Sequence, residues 1–454
     1  MKRLTSLDFL RGIAVLFMTL FHVFGVSMKV SAPSDITTLP IGLLILGIIA
    51  LNLMHWRGFF LVISGVANFY QMFKAFENGK SRGRILLKQL LNGLILIVLG
   101  KILITYFYFY GIIDLWSRSA GWNTSYLSMF FYFDTVESLG YMMILSGVLF
   151  FFLSYIKKRN IRAIVSFCVL FSLSLLILVI SPYVNEWVGQ IAGVDIASDG
   201  ELFRSFGHAF DSGLKEKVIR TFLNALGGRE GPLFPMWGVF LMGGAIAALI
   251  RHTKVKKWML RILFIPLVLM LAWGVYELIA MVGLETVNPF FHVFPRWFSF
   301  VSVSTQSMVI LLFLRIVEFN PRINEKRWLK WTKYFRRFGI YAFTVYWFQL
   351  VEIGPRLLFG AIFGIETAGR SQLNAAWTTI MVLSNLLIWS GLVFASDRWL
   401  KGIGSWEWIL MVIRNPVKWW KGGKKGLDLD GMLHNVELIR FVDNRRSKSE
   451  PVTF

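Results

Sequence analysis

Ten apolar stretches, nine near the length that crosses a bilayer and one, 40–74, well beyond it, run through this chain and constrain its fold more than any other feature. A hydrocarbon layer about 30 Å thick takes roughly 20 helical residues, and only a helix satisfies its own backbone polar groups inside it. The spans are predicted near residues 8–28, 40–74, 86–110, 138–156, 162–182, 233–250, 258–282, 298–317, 339–363 and 375–396. A mean hydropathy of +0.60 and an apolar share of 56% exceed what soluble domains carry. The predicted fold is therefore all-α: a polytopic membrane protein, a helical bundle of about ten to eleven transmembrane helices. The first apolar run begins with charged residues and lacks a small-residue cleavage site, so it reads as a retained helix.

Charge orients the bundle. The net charge of +22 could indicate nucleic acid, but the cations fall in alternate loops: Lys74 to Lys88, Lys157 to Arg162, Arg251 to Lys257, and Arg322 to Arg337. Basic loops stay in the cytoplasm, which predicts cytoplasmic termini, a cytoplasmic 318–338 loop, and outward-facing 111–137 and 183–231 loops in a plasma-membrane protein. Residues 40–74 suit one overlong helix or two short ones divided at His55-Trp56-Arg57-Gly58, and parity favours a single net crossing, with 40–55 tilted, re-entrant or lying on the surface. Residues 1–400 form the membrane domain, within which 201–226 reads as an outer-face interfacial helix or lid. Residues 401–454 form a basic cytoplasmic tail, whose 405–414 stretch either anchors on anionic lipid or packs beneath the bundle.

Ionisable residues inside apolar spans point to function, because burying them in lipid is costly. Arg11 and His22 lie eleven residues apart in the first span, roughly 16 Å along a helix and about 20° around it, hence on one face. Arg11 could meet an anionic ligand or pair with Asp8 at i,i+3 spacing. His22 reads either as a general base or as a buried histidine bonded to a neighbouring helix. Other residues that could line a cavity or meet substrate are Asp8, Ser64, Glu137, Tyr346 and Gln349, together with His55 and Arg57 at a helix break. Ser64-Gly65 also suits close helix packing. Cys168, the only cysteine, reads as a core thiol and excludes an intramolecular disulfide framework. The six histidines lack helical ligand spacing, so no metal site is expected. Metalloprotease, P-loop, nucleophile-elbow, dinucleotide and nucleic-acid signatures are absent.

The segment Arg3-Leu4-Thr5-Ser6-Leu7-Asp8-Phe9-Leu10-Arg11-Gly12, continuing to His22, resembles the opening of the transmembrane acyltransferase superfamily, with the Arg, ten residues, His pattern of acyltransferase-3 proteins. Phe59-Phe60-Leu61-Val62-Ile63-Ser64-Gly65 is similar to that superfamily's second-helix signature. Phe133-Asp134-Thr135-Val136-Glu137-Ser138-Leu139-Gly140 and Pro232-Leu233-Phe234-Pro235-Met236-Trp237-Gly238 resemble the heparan-alpha-glucosaminide N-acetyltransferase branch. Phe343-Thr344-Val345-Tyr346-Trp347-Phe348-Gln349 and Gly404-Ser405-Trp406-Glu407-Trp408 look like YeiB-type bacterial membrane proteins, with Gln349 where the acetyltransferase-like pattern usually has histidine.

The resemblance implies acyl transfer across the bilayer, from cytoplasmic acyl-CoA, acetyl-CoA foremost, as cosubstrate to a hydroxyl or amine of a glycan or similar polar acceptor outside. It makes His22 the general base and Arg11 the acyl-CoA contact. Expected partners are the lipid bilayer, acyl-CoA and the acceptor, with room for homo-oligomers and no nucleic acid. Two alternatives stay open: a transporter or flippase of a small solute or lipid-linked sugar, and a scaffold that has lost activity.

Overall fold

The computed structural model describes residues 2–27, 56–107, 130, 133–192, 214–227, 231–251, 257–282, 296–348, 351, 353–363, 373, 375–414, 426–434, 436–439 and 441. Helices are α1 (Thr5–Ser27), α2 (Trp56–Glu77), α3 (Arg82–Phe107), α4 (Thr135–Leu153), α5 (Arg159–Ala192), α6 (Leu214–Gly227) and α7 (Leu233–Ile250). They continue with α8 (Lys257–Val282), α9 (Arg296–Val317), α10 (Glu325–Ile340), α11 (Ala342–Trp347), α12 (Ile353–Phe363), α13 (Ala375–Ala395) and α14 (Trp406–Arg414). The described strands are two residues each, β1 (Lys2–Arg3) paired parallel with β2 (Glu437–Leu438). Eight of the described helices are long and apolar enough to cross a membrane. Their outward faces carry large exposed apolar side chains, such as Ile265, Leu269, Tyr276 and Ile279 on α8 and Leu387 on α13. A surface this apolar is stable against lipid and not against water. The chain is an all-α, multi-pass membrane protein.

α7 is the axis of the bundle, buried along nearly its whole length between α2 and α5. Glycines permit that contact. A Cβ on Gly65 would overlap the Phe240 carbonyl, and one on Gly243 would overlap the Val62 carbonyl and the Val66 nitrogen. α1 and α10 approach as closely, Gly12 lying on the Phe335 carbonyl and Gly339 on that of Asp8. Small residues let backbones meet where the apolar medium supplies no hydrophobic drive between helices.

At one end of the bundle three basic connections converge on Glu77. Arg251 pairs with it, Arg159 lies 3.3 Å from it, and Arg159 also donates to the Arg251 carbonyl. Arg162 stacks 4.6 Å from the Phe76 ring and Arg82 4.3 Å from that of Tyr155. Loops far apart in sequence thus share one basic end.

Several expectations need correcting. The stretch 318–338 is not simply a loop, because residues 325–340 form α10, capped by Asn324 Oδ1 accepting the Arg327 N–H at 3.0 Å. Phe335 and Gly339 lie on the helix side that packs toward α1, with Trp328 donating to Thr5 Oγ1 at 3.0 Å. The predicted 339–363 span is broken among the described residues: α11 ends at Trp347 and α12 starts at Ile353. The fifth span does not stop at Pro182, since α5 runs on to Ala192 and packs against α6, where Gly227 meets Asn185. At 34 residues, α5 is about 51 Å long and outruns the apolar layer. Cys168 is exposed on the outer flank of α5, not in the core. Residues 40–55 lie outside the described residues, as do 201–213 of the expected lid.

Candidate functional site

The first helix carries the site. Its N-terminus is held by three separate parts of the chain: Ser6 N–H donates to Glu318 Oε1 at 3.0 Å, Trp328 reaches Thr5, and Ile439 N–H donates to the Arg3 carbonyl at 3.1 Å. Phe9 packs against Phe313, Trp328 and Phe335 with ring centroids 5.3 to 5.5 Å away. α1 is therefore a fixed wall. Asp8 pairs with Arg3 at 3.1 Å, and the expected Asp8–Arg11 contact is present but longer, at 3.8 Å.

Between Arg11 and His22, the same face of α1 presents Ala14, Val15 and Met18 to an interior cavity of about 40 Å³. Phe60 and Leu61 of α2, Thr135 of α4, and Phe343 and Tyr346 of α11 close it. The space suits about three water-sized groups. His22, one turn beyond Met18, has Nδ1 3.0 Å from the Met18 carbonyl oxygen. A carbonyl only accepts, so Nδ1 carries the proton and the basic lone pair of the neutral ring resides on Nε2. The Tyr346 hydroxyl, at the cavity wall, donates to both carboxylate oxygens of Asp134 at 3.0 and 3.2 Å. Two residues along α4 from Thr135, the fully buried Glu137 meets Lys101 of α3 at 2.9 Å. In a low-dielectric interior such a pair persists because breaking it leaves one uncompensated charge.

The structure brings Asp8, Arg11 and His22 onto one stripe and sets Tyr346 against its cavity. Glu137 lies on the same helix as the cavity residue Thr135 and is engaged with Lys101. Ser64 is half-buried beside the Gly65 packing contact. His55 and Gln349 lie outside the described residues; Arg57 is in the first turn of α2, and its side chain is outside them too. Among the described residues, no group of three or more His, Cys, Asp and Glu is placed to hold a metal ion.

Sequence reasoning missed Asp134 as the partner of Tyr346, although an Asp-Thr pair before an apolar run is a helix-start signal. It also missed Glu318 and Arg336. Arg336 is 1% exposed and donates to the carbonyls of Leu329 and Leu433 at 3.1 and 3.3 Å. Burial lowers the affinity of Arg336 for its proton, opposed by nearby Asp8. Glu407, read only as part of a motif, accepts the Phe343 and Thr344 N–H groups at 2.6 and 3.1 Å, and so docks α14 on the start of α11.

No protein-family model matches this chain, and no curated protein matches it. The fold and site define a multi-pass helical membrane protein with a small, mainly apolar interior cavity against α1, between the positions of Arg11 and His22 along that helix.

Proposed function

We propose that this chain is an integral membrane acyltransferase that moves an acyl group, acetyl foremost, from cytoplasmic acyl-CoA to a hydroxyl or amine of a glycan or similar polar acceptor at the outer face. The observation that carries this reading is the continuous face of α1 on which Arg11, the cavity residues Ala14 and Met18, and His22 follow one another. His22 Nε2 takes the acceptor's proton as its oxygen or nitrogen attacks the thioester carbonyl; the carbon–sulfur bond breaks, and the thiolate leaves with that proton. Arg11, about 16 Å nearer the basic end, meets a phosphate of the cosubstrate. The cavity is smaller than the substrates, so its walls part when they bind. The reading includes a bundle of ten to eleven crossings in the plasma membrane with both termini cytoplasmic, supported by the convergence of basic connections on Glu77.

Purified protein, labelled acetyl-CoA and a panel of amino sugars, glycan hydroxyls and lipid-linked saccharides test it. His22→Ala should remain monodisperse and bind acetyl-CoA, yet lose two to four orders of magnitude in rate, roughly what a general base supplies. Wild-type protein that neither binds nor consumes acetyl-CoA refutes the proposal. A transporter is then the better reading, favoured by the ion pair of Lys101 and Glu137 inside the bundle, which needs no chemistry to be useful.

A further inference from the structure

A second cavity, separate from the α1 stripe, opens between α10, the turn that follows α13, and the segment at 427–429. At about 370 Å³ it is some nine times larger than the first and falls in the range of small-molecule sites. Four cations line it, Lys333, Arg337, Arg398 and Lys401, against Asp397 and Asp428. Both carboxylates are engaged: Asp397 with Arg337 at 2.7 Å, and Asp428 Oδ1 with the Gly431 N–H at 3.1 Å. The lining therefore keeps a net charge of plus two.

The backbone is bent to build this wall. Lys401 holds φ 49°, a left-handed conformation ordinarily left to glycine, while its carbonyl accepts the Leu427 N–H at 2.9 Å. Crowding shows in Lys333, whose ammonium burial and the neighbouring Arg337 push toward losing its proton. Phe394, Leu427 and Leu429 supply the apolar part of the lining. Phe394 is 48% exposed, and Trp399, next to Arg398 in sequence, is 74% exposed. An exposed tryptophan beside cations marks the headgroup level of a bilayer.

We propose that this pocket binds the phosphate headgroup of an anionic membrane lipid. Phosphate oxygens meet the cations, and the exposed faces of Phe394, Trp399 and Leu400 lie along the acyl chains. A net charge of plus two matches a headgroup of about two negative charges, a phosphomonoester or a pair of phosphodiesters, better than a single phosphodiester. The site does not depend on the acyl-transfer reading.

Native mass spectrometry of the full chain in detergent, titrated with dioleoyl phosphatidic acid, cardiolipin or phosphatidylcholine, tests it. The first two should bind and phosphatidylcholine should not. K333Q/R398Q should weaken phosphatidic acid binding about 30-fold, at roughly fivefold per cation near a membrane surface. R322Q/K330Q, which removes two cations of α10 and its preceding turn outside the pocket, should leave affinity unchanged. If K333Q/R398Q is not monodisperse, R398E at an exposed side chain should reduce binding more than fivefold. Wild-type affinity in the pocket variants overturns the proposal, as does equal weakening in R322Q/K330Q, which would make the effect a general property of the basic face. Displacement of the lipid by inorganic phosphate or ADP at comparable concentration overturns the lipid assignment and makes the occupant a soluble phosphate ester.

Discussion

Glu318 should make the protein less stable as pH rises, and Glu318→Gln should remove that dependence. The side chain is fully buried where α9 ends, with Oε1 on the Ser6 N–H and its main-chain carbonyl on the Phe441 N–H, each at 3.0 Å. Burial pushes its carboxyl up to about 8 from 4.5; the Ser6 hydrogen bond opposes the shift and the negative charge of Asp8 adds to it. A carboxyl whose folded pKa is raised holds its proton more tightly folded than unfolded. Stability is thus greatest below pH 4.5, falls as pH rises toward 8, and is level above. At 1.36 kcal/mol per unit, the interval amounts to about 5 kcal/mol. For 454 residues the unfolding entropy is near 1 kcal/mol/K, so the difference corresponds to about 5 °C in Tm. Glutamine keeps the carbonyl that accepts from Ser6 and cannot ionise. Tryptophan-fluorescence melts in detergent from pH 5 to pH 9 should show wild type losing several degrees more than Glu318→Gln, with the variant the more stable at pH 9. Parallel curves for the two proteins would refute the reasoning.

Arg11→Lys should weaken acetyl-CoA binding less than Arg11→Ala, because lysine keeps the charge and loses only the planar fork; equal loss of folded protein in both, with unchanged affinity in what survives, would assign Arg11 to the Asp8 contact. Single cysteines at exposed positions, in a Cys168→Ser background, should be labelled from outside intact cells within the 111–137 and 183–231 stretches but not within 318–338, and labelling of the last with an impermeant thiol reagent reverses the topology. Gly243→Val should abolish the monodisperse peak on gel filtration by driving α7 off the Val62 carbonyl of α2, whereas Gly391→Ala, with nothing within 4 Å of its new Cβ, should be harmless. Glu407→Ala leaves the Phe343 and Thr344 N–H groups without their carboxylate acceptor and should lower stability by roughly 1 to 3 kcal/mol, measured as a lower Tm than that of Glu407→Gln.

Membrane character was legible in the sequence because hydropathy sums over some 20 residues at a time, and no tertiary detail is needed to see that such runs seek lipid. Helix periodicity alone likewise set Arg11 and His22 on one face of α1, a relation internal to one element. The breaks were less legible: Pro182 marks an ending in sequence, yet α5 continues because packing of Asn185 and Val188 supports its last turns. Tertiary structure alone decided which charges meet. Lys101 and Glu137 are 36 positions apart, and Tyr346 and Asp134 are 212 apart, so no local spacing announces either pair. The same holds for the net positive pocket at Lys401 and for Glu318 under Ser6, each assembled from segments that sequence separates and folding joins. Local periodicity specifies which face a residue takes; only packing specifies what that face meets.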